Sequence, residues 1–209
     1  MYNTSEKGVT PMAKRKRVID KELRTELAKE KCYEIMDYLM VQFTDTNDIH
    51  FNYYFDTPDF SLAERDITLR ERTIRKENHT SYHLTLRVPT IEKDTYLEYH
   101  QQLNEKDMRL LIYNNKLPNG EIKDLNSIHG GSVKNVNMIR VNRIRARYKD
   151  IEVYFDKISH RGKTHYEIGT KIDTTETLPK DQHAKQFKEL LEGFGIAFKQ
   201  AKRRSKKFQ

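Results

Sequence analysis

From Val18 onward the chain alternates apolar and polar residues at every second position over long stretches. Such alternation marks strands with two unlike faces, because successive side chains point to opposite sides. It predicts strands near 18–27, 50–56, 66–75, 81–89, 94–102, 138–149, 150–159 and 163–172. Three stretches change to a helical period. Cys32, Ile35, Met36 and Leu39 recur at helical spacing between about 28 and 42. Asn104 followed by Asp107 reads as an N-cap opening a helix with Met108, Leu111 and Ile112 on one side. Ala184, Phe187, Leu190, Leu191 and Phe194 stripe a last helix, which Gly195 ends. Arg161-Gly162 and Lys149-Asp150 mark tight connections. Many strands and few helices predict a β-rich α+β domain, with the sheet closed into a barrel and the helices packed on its outside.

The polar faces of these strands carry an unusual load. Asp20, Glu22 and Arg24 share one face; Arg70 and Arg72 another; His83, Thr85 and Arg87 a third; Glu98 and His100 a fourth. Arg143, Arg145 and Arg147 line up, as do Glu152, Tyr154 and Asp156, and Glu167 and Lys171 flank Gly169. If helices cover the apolar faces, these charges look into the barrel. Charges cannot be buried dry at a cost of several kcal/mol per ion, so they need water, each other or a ligand. A phosphate chain answers the arginines, whose fork matches its oxygens. A hard divalent cation, Mg²⁺ or Mn²⁺, answers a cluster of carboxylates.

Composition narrows the class. The 209 residues suit one domain, read here as 18–209 behind a basic flexible tail at 1–17. Mean hydropathy is −0.90, and no run of about 18 apolar residues is present to cross a membrane. No apolar stretch follows the N-terminal basic cluster, as a secretory signal would require. One cysteine, Cys32, rules out an internal disulfide framework. A cytoplasmic location is expected. The net charge of +8 first suggests nucleic acid. Four positives at Lys14–Arg17 and six between Lys199 and Lys207 hold all of that excess, leaving 29 basic against 31 acidic residues elsewhere. Runs of that kind are read as solvated tails in preference to a nucleic-acid site, although the C-terminal one, with Lys202 and Arg204, is also a candidate to reach the ligand.

Several motifs in order resemble one family. Tyr54-Phe55-Asp56-Thr57-Pro58-Asp59, Leu69-Arg70-Glu71-Arg72, Tyr82 through Pro89, Leu97-Glu98-Tyr99-His100, Arg143 through Asp156 and Tyr166-Glu167-Ile168 together look like the CYTH domain, also called the triphosphate tunnel metalloenzymes. The resemblance covers about 18–208 and is strongest to small bacterial members. It implies an eight-stranded antiparallel β-barrel, the triphosphate tunnel, with helices outside. The family's acid-x-acid-x-base signature falls on Asp20-Lys21-Glu22-Leu23-Arg24, with Asp for Glu and Arg for Lys.

By resemblance the metal, Mg²⁺ or Mn²⁺, falls on Asp20, Glu22, Asp156 and Glu167, with Asp20, Glu22 and Glu98 in the catalytic set. The second acid of the family's last-strand pair falls on Gly169, a departure from the pattern, and the next inward residue is Lys171. Phosphate contacts fall on Arg24, Arg70, Arg72, Arg87 and Arg143, and Arg145, Arg147 and Lys171 add charge. The implied activity is metal-dependent hydrolysis of inorganic tripolyphosphate or a nucleoside triphosphate. Relatives also include enzymes acting on thiamine triphosphate or RNA 5′ ends, and adenylate cyclases. The alternative, motivated by Gly169 and Lys171, is a protein that binds or sequesters a triphosphate or other anionic nucleotide without turnover. Family members often form homodimers.

Simpler roles stand beside these. Cys32 lies on an apolar helix stripe and reads as packing, not as a nucleophile. His100 reads as a substrate contact or a structural hydrogen bond. Tyr54 and Phe55 read as packing at the barrel end. Glu152 reads as a cross-strand partner for Arg145 or Arg147, and Glu98 as a metal ligand or a partner for Arg87.

Overall fold

The computed structural model describes residues 15–19, 21–39, 48–91, 96–125, 132–172 and 179–207. In chain order these form β1 (Arg15–Ile19), β2 (Lys21–Leu27), α1 (Lys29–Tyr38), β3 (Asp48–Asp56), α2 (Ser61–Glu64), β4 (Thr68–Lys76), β5 (His79–Pro89), β6 (Tyr96–Leu103), α3 (Glu105–Asn114), α4 (Glu121–Leu125), β7 (Lys134–Tyr148), β8 (Ile151–His160), β9 (Lys163–Ile172), α5 (Lys180–Gly193) and α6 (Arg204–Lys207). All pairings are antiparallel, in the order β1-β6-β5-β4-β3-β7-β8-β9-β2.

The two ends of that order are nearly consecutive in sequence. β1 pairs with β6 and β2 with β9, yet Ile19 and Lys21 lie two residues apart, which limits their Cα separation to about 7 Å. The sheet must therefore curl until its edges meet. β1 and β2 act as halves of one bent strand, which makes an eight-stranded tunnel, as expected. The expected tail boundary at 17 falls inside β1, whose backbone is already extended at Arg15. The remainder of that tail, and Asp20, lie outside the described residues.

Two helical covers bury the outer face. Cys32, Ile35 and Met36 of α1 and Phe187, Leu190 and Leu191 of α5 pack on Leu23, Val153, Phe155 and Ile168. Leu62 of α2, Leu111 of α3 and Ile122 of α4 pack on Leu69, Leu84, Leu86 and Leu103. Each fully buried Leu, Ile or Phe contributes roughly 1.5–3 kcal/mol, and truncating Phe187 to Ala would cost about 3–5 kcal/mol. Cys32 belongs to the first cover, where burial pushes its thiol up to about 12, consistent with packing.

Local signals hold where they were read. The Asn104 side chain accepts from the Asp107 N–H at 2.8 Å. Gly195 follows α5 at φ 69°, and Arg161-Gly162 turn at φ 46° and 75°. The short helices α2, α4 and α6 were not anticipated, because four or five residues carry no readable period. α2 is fixed by Asp56, whose carboxylate accepts from the N–H groups of Leu62 and Ala63. The Asp-Thr-Pro-Asp motif thus ties the end of β3 to the helix that follows.

One seam remains between β2 and the β4–β6 side, and the C-terminal segment fills it. Ala201 N–H donates to the Arg24 carbonyl at 2.8 Å, and the Thr25 hydroxyl donates to the Lys199 carbonyl at 2.9 Å. Farther on, Arg203 lies over the Tyr96 ring at 3.8 Å and meets Asp66 at 3.1 Å, where Lys206 also binds at 2.8 Å.

Candidate functional site

The alternation places the charged faces inward. Two chambers meet inside the tunnel and share Glu22, Arg70, Arg72, Arg87 and Glu98 in their walls. One opens toward Arg203, Arg204 and Thr68. The other, of about 190 Å³, opens toward His83, His100, Arg143 and Lys171.

On the β2–β8–β9 wall the acids Glu22, Asp156 and Glu167 each hold a cation. Asp156 and Glu167 face each other across β8 and β9, both fully buried. Asp156 accepts two bonds from Arg143, at 2.8 and 2.6 Å. Glu167 accepts from Arg24 at 2.9 Å and from Arg204 Nε at 3.0 Å. Arg204 Nη2 bridges the two carboxylates. Burial opposes the charge on Asp156, but Arg143 and Arg204 hold its pKa below the usual range. Burial likewise opposes Arg24, Arg143 and Arg204, and the neighbouring acids raise the pKa of all three. Paired in this way, buried ions tolerate the loss of water.

Glu22, opposite Lys171 in the β2–β9 register, is the acid of this wall most open to the tunnel, at 22% side-chain exposure. Burial pushes it up, yet Arg24, Lys171, Arg204 and Arg143 carry it well below the usual range. Its Oε1 accepts from the Tyr154 hydroxyl. That phenol stays protonated, because burial and then Glu22 raise its pKa. Tyr154 also explains Gly169. A Cβ at 169 would lie 2.5 Å from the Tyr154 ring and 2.8 Å from Arg24 Cγ. The missing family acid and the tyrosine are therefore one feature: the ring fills the space the acid would need. Lys171 is wetted by the tunnel yet ringed by protein; that burial, with Arg72 and Arg143 nearby, lowers its pKa to about 8.

The facing wall is different. Among the described residues Arg70 and Arg72 of β4 form no ion pair within 4 Å. Arg72 Nε donates to the neutral side-chain amide oxygen Oδ1 of Asn52 at 2.7 Å, and Arg70 Nε is buried without a partner. Burial, then Arg70, Arg143 and Arg204, push the Arg72 pKa well below the guanidinium value. Since a guanidinium does not give up its proton in a protein, this direction expresses an unmet demand for an anion. His50 beneath it is kept neutral, lowered to about 2 by burial and then by Arg72 and Arg143.

The other expected residues divide between the chambers and the outside. Glu98 pairs with Arg87 at 2.9 Å and with His100 at 3.2 Å. Burial raises its pKa, but the His100 hydrogen bond and Arg87 outweigh it and bring it to about 2. Arg145 is turned to Asp48 and, at 3.6 Å, to Glu152, and Arg147 is exposed opposite Glu152. The structure does not bring these two to the chambers, because the lumen-facing row of β7 runs out of the tunnel beyond Arg143. Glu152 is the cross-strand partner. Tyr54 and Phe55 are buried in packing clusters. The C-terminal basic run is not a solvated tail: Arg203, Arg204 and Lys206 are bound to Asp66, Asp156 and Glu167. Only a contact map could have fixed Arg204's place, since no period links it to a strand.

Among the described residues no group of three or more His, Cys, Asp or Glu is arranged to hold a metal ion. No described helix is long and apolar enough to cross a membrane.

Comparison with known proteins agrees with this architecture. A family model described as the CYTH domain matches residues 21–202. No curated protein sequence matches the chain. Among solved structures, a candidate adenylate cyclase from Bacillus halodurans is 26% identical, with TM-score 0.77, over 94% of this chain and 99% of that one. A candidate adenylyl cyclase from Hippeastrum, described as having a dominant triphosphatase activity, is 21% identical with TM-score 0.68, over 93% and 95%. The PH1819 protein of Pyrococcus horikoshii OT3 is 19% identical with TM-score 0.56, over 91% and 96%.

Proposed function

This chain belongs to the CYTH domain family, and from that premise we propose that it binds a triphosphate chain lengthwise in its tunnel and hydrolyses it. The substrate is inorganic tripolyphosphate or a nucleoside triphosphate. The observation that carries the reading is the pair Arg70 and Arg72, cations in a partly dry tunnel with no acid of their own among the described residues. The activity described for the Hippeastrum protein supports the same reaction class.

Phosphoryl transfer asks mainly for positioning and for stabilisation of charge on the equatorial oxygens. Arg70, Arg72 and Arg87 supply that from one wall and Arg24, Arg143 and Arg204 from the other, in a site where low dielectric strengthens each contact. Glu22 orients the attacking water from the open part of the acid wall. Lys171, at about 8, is near enough to neutrality to pass a proton to the leaving oxygen.

The family is generally metal-dependent. Among the described residues the acids do not fit a divalent cation: the Asp156 oxygens are taken by Arg143 and Arg204, and Glu22 by Tyr154 and Arg24. The Gly169–Tyr154 pairing favours the second reading, a tunnel that binds the chain without turning it over.

Phosphate release from tripolyphosphate and from ATP, with Mg²⁺, with Mn²⁺ and with EDTA, separates the two. Release by the native protein, abolished in Glu22→Ala, is the expected result. Binding without release in every condition would establish the second reading in its place.

A further inference from the structure

We infer that Arg204 is a built-in counter-cation that stands where a divalent metal would bridge Asp156 and Glu167, so that the tunnel grips a triphosphate chain without metal on those carboxylates. The inference rests on the triphosphate reading above and names how that site is charged.

The geometry is that of a bridge. A single nitrogen, Arg204 Nη2, contacts Asp156 Oδ2 and Glu167 Oε2, which belong to paired residues on neighbouring strands. A bridging cation between two carboxylates would occupy that point. The other Asp156 contacts are already made by Arg143. Charge leads to the same conclusion. Glu22, Asp156 and Glu167 carry three negative charges, and Arg24, Arg143 and Arg204 three positive. The cluster is neutral as it stands. A divalent cation added without expelling Arg204 would leave it doubly positive beside Arg70, Arg72 and Lys171, against Coulomb repulsion at close range.

Arg204 is held in place rather than resting there. Its neighbours Arg203 and Lys206 bind Asp66, and the preceding segment is stitched to β2 through Ala201 and through the Lys202 carbonyl, which accepts from Arg24. At the same time Arg204 lines the chamber that Arg70 and Arg72 face. It therefore neutralises the acids from behind and offers the remainder of its fork to a phosphate.

The experiment has two arms. In the first, Mn²⁺ alone is titrated into the full chain and followed by the loss of free-ion electron paramagnetic resonance signal. The native protein is expected to bind Mn²⁺ at least about tenfold more weakly than Arg204→Gln, as removal of one charge-assisted contact implies. Arg204→Gln combined with Glu167→Gln should return to the native value. In the second, tripolyphosphate is titrated by calorimetry with EDTA or with Mn²⁺. Native affinity should be the same within about threefold in both, while Arg204→Gln loses about tenfold in EDTA. Arg204→Lys, which keeps the charge but not the fork, should fall between and serves if the glutamine variant does not fold. Equal Mn²⁺ affinity in native and variant protein, or native tripolyphosphate binding that appears only with Mn²⁺, overturns the inference. If tripolyphosphate binds under neither condition, the triphosphate reading fails by itself, and the Mn²⁺ arm still decides whether Arg204 holds the metal's place.

Discussion

The two walls of the tunnel use one residue type in opposite ways. On the β2–β8–β9 wall Arg24, Arg143 and Arg204 each face a carboxylate, and the acids raise their affinity for the proton. On β4, Arg72 has burial and other cations for company, and its pKa moves down. The first wall is internally neutral and holds itself together. The second is stable only because its charges are spread and partly hydrated, and it gains most when an anion arrives. A buried arginine therefore signals binding less by its presence than by the absence of an acid beside it.

The contrast can be broken most forcefully at Asp156. Asp156→Ala leaves Arg143 without its acid and Arg204 with Glu167 alone, and should cost about 3–5 kcal/mol of stability in urea unfolding. A loss under about 1 kcal/mol would mean that the paired wall does not depend on its pairs.

Next comes the outer side of the bare wall. Glu71 sits between Arg70 and Arg72 in sequence but points the opposite way, fully buried beneath the second helical cover. Burial raises its carboxyl to about 7, although Thr73, Arg70 and Arg72 oppose. The folded state thus keeps a proton that the unfolded chain gives up near 4.5. Stability should fall as pH rises from about 4.5 to 7 and then level off. Glu71→Gln should remove that slope and stabilise the protein at pH 8 by about 2–3 kcal/mol in urea unfolding. An unchanged slope would mean that Glu71 ionises freely and shares its charge with the wall.

Arg72→Ala should weaken tripolyphosphate binding about 10- to 100-fold by calorimetry, since one or two charge-assisted contacts are lost. The melting temperature should hold or rise, because a repelled cation has gone. A fall of several degrees would show that the bare wall is structural too. The smallest effect is expected at Arg147→Ala, which should change affinity less than about twofold, as suits an exposed charge outside the chambers.

Much of this was legible in the chain. Period-two alternation located the strands from β2 to β9 and told which face of each carries charge, because a two-faced strand cannot hide its register. It put Arg70, Arg72, Arg87, Glu22 and Asp156 on inward rows without any knowledge of the fold. Alternation does not say where a row leaves the tunnel, so Arg145 and Arg147 were counted inward. Nor does it report space. Gly169 read as a lost ligand, whereas its meaning is set by Tyr154 on the next strand. Arg204 was hardest to place, since its partners lie 48 and 37 positions away and its four-residue helix is too short to carry a pattern.

That segment also fixes an order of events. Residues 199–207 follow every strand and both helical covers in the chain, yet they fill the seam and deliver the last cation to Asp156 and Glu167. A growing polypeptide would have all of its sheet outside the ribosome while the two buried acids of the tunnel wall still shared only Arg24 and Arg143. The tunnel is thus sealed only after its strands have been made, and a protease that removed these few residues would leave a slotted shell with unbalanced charge.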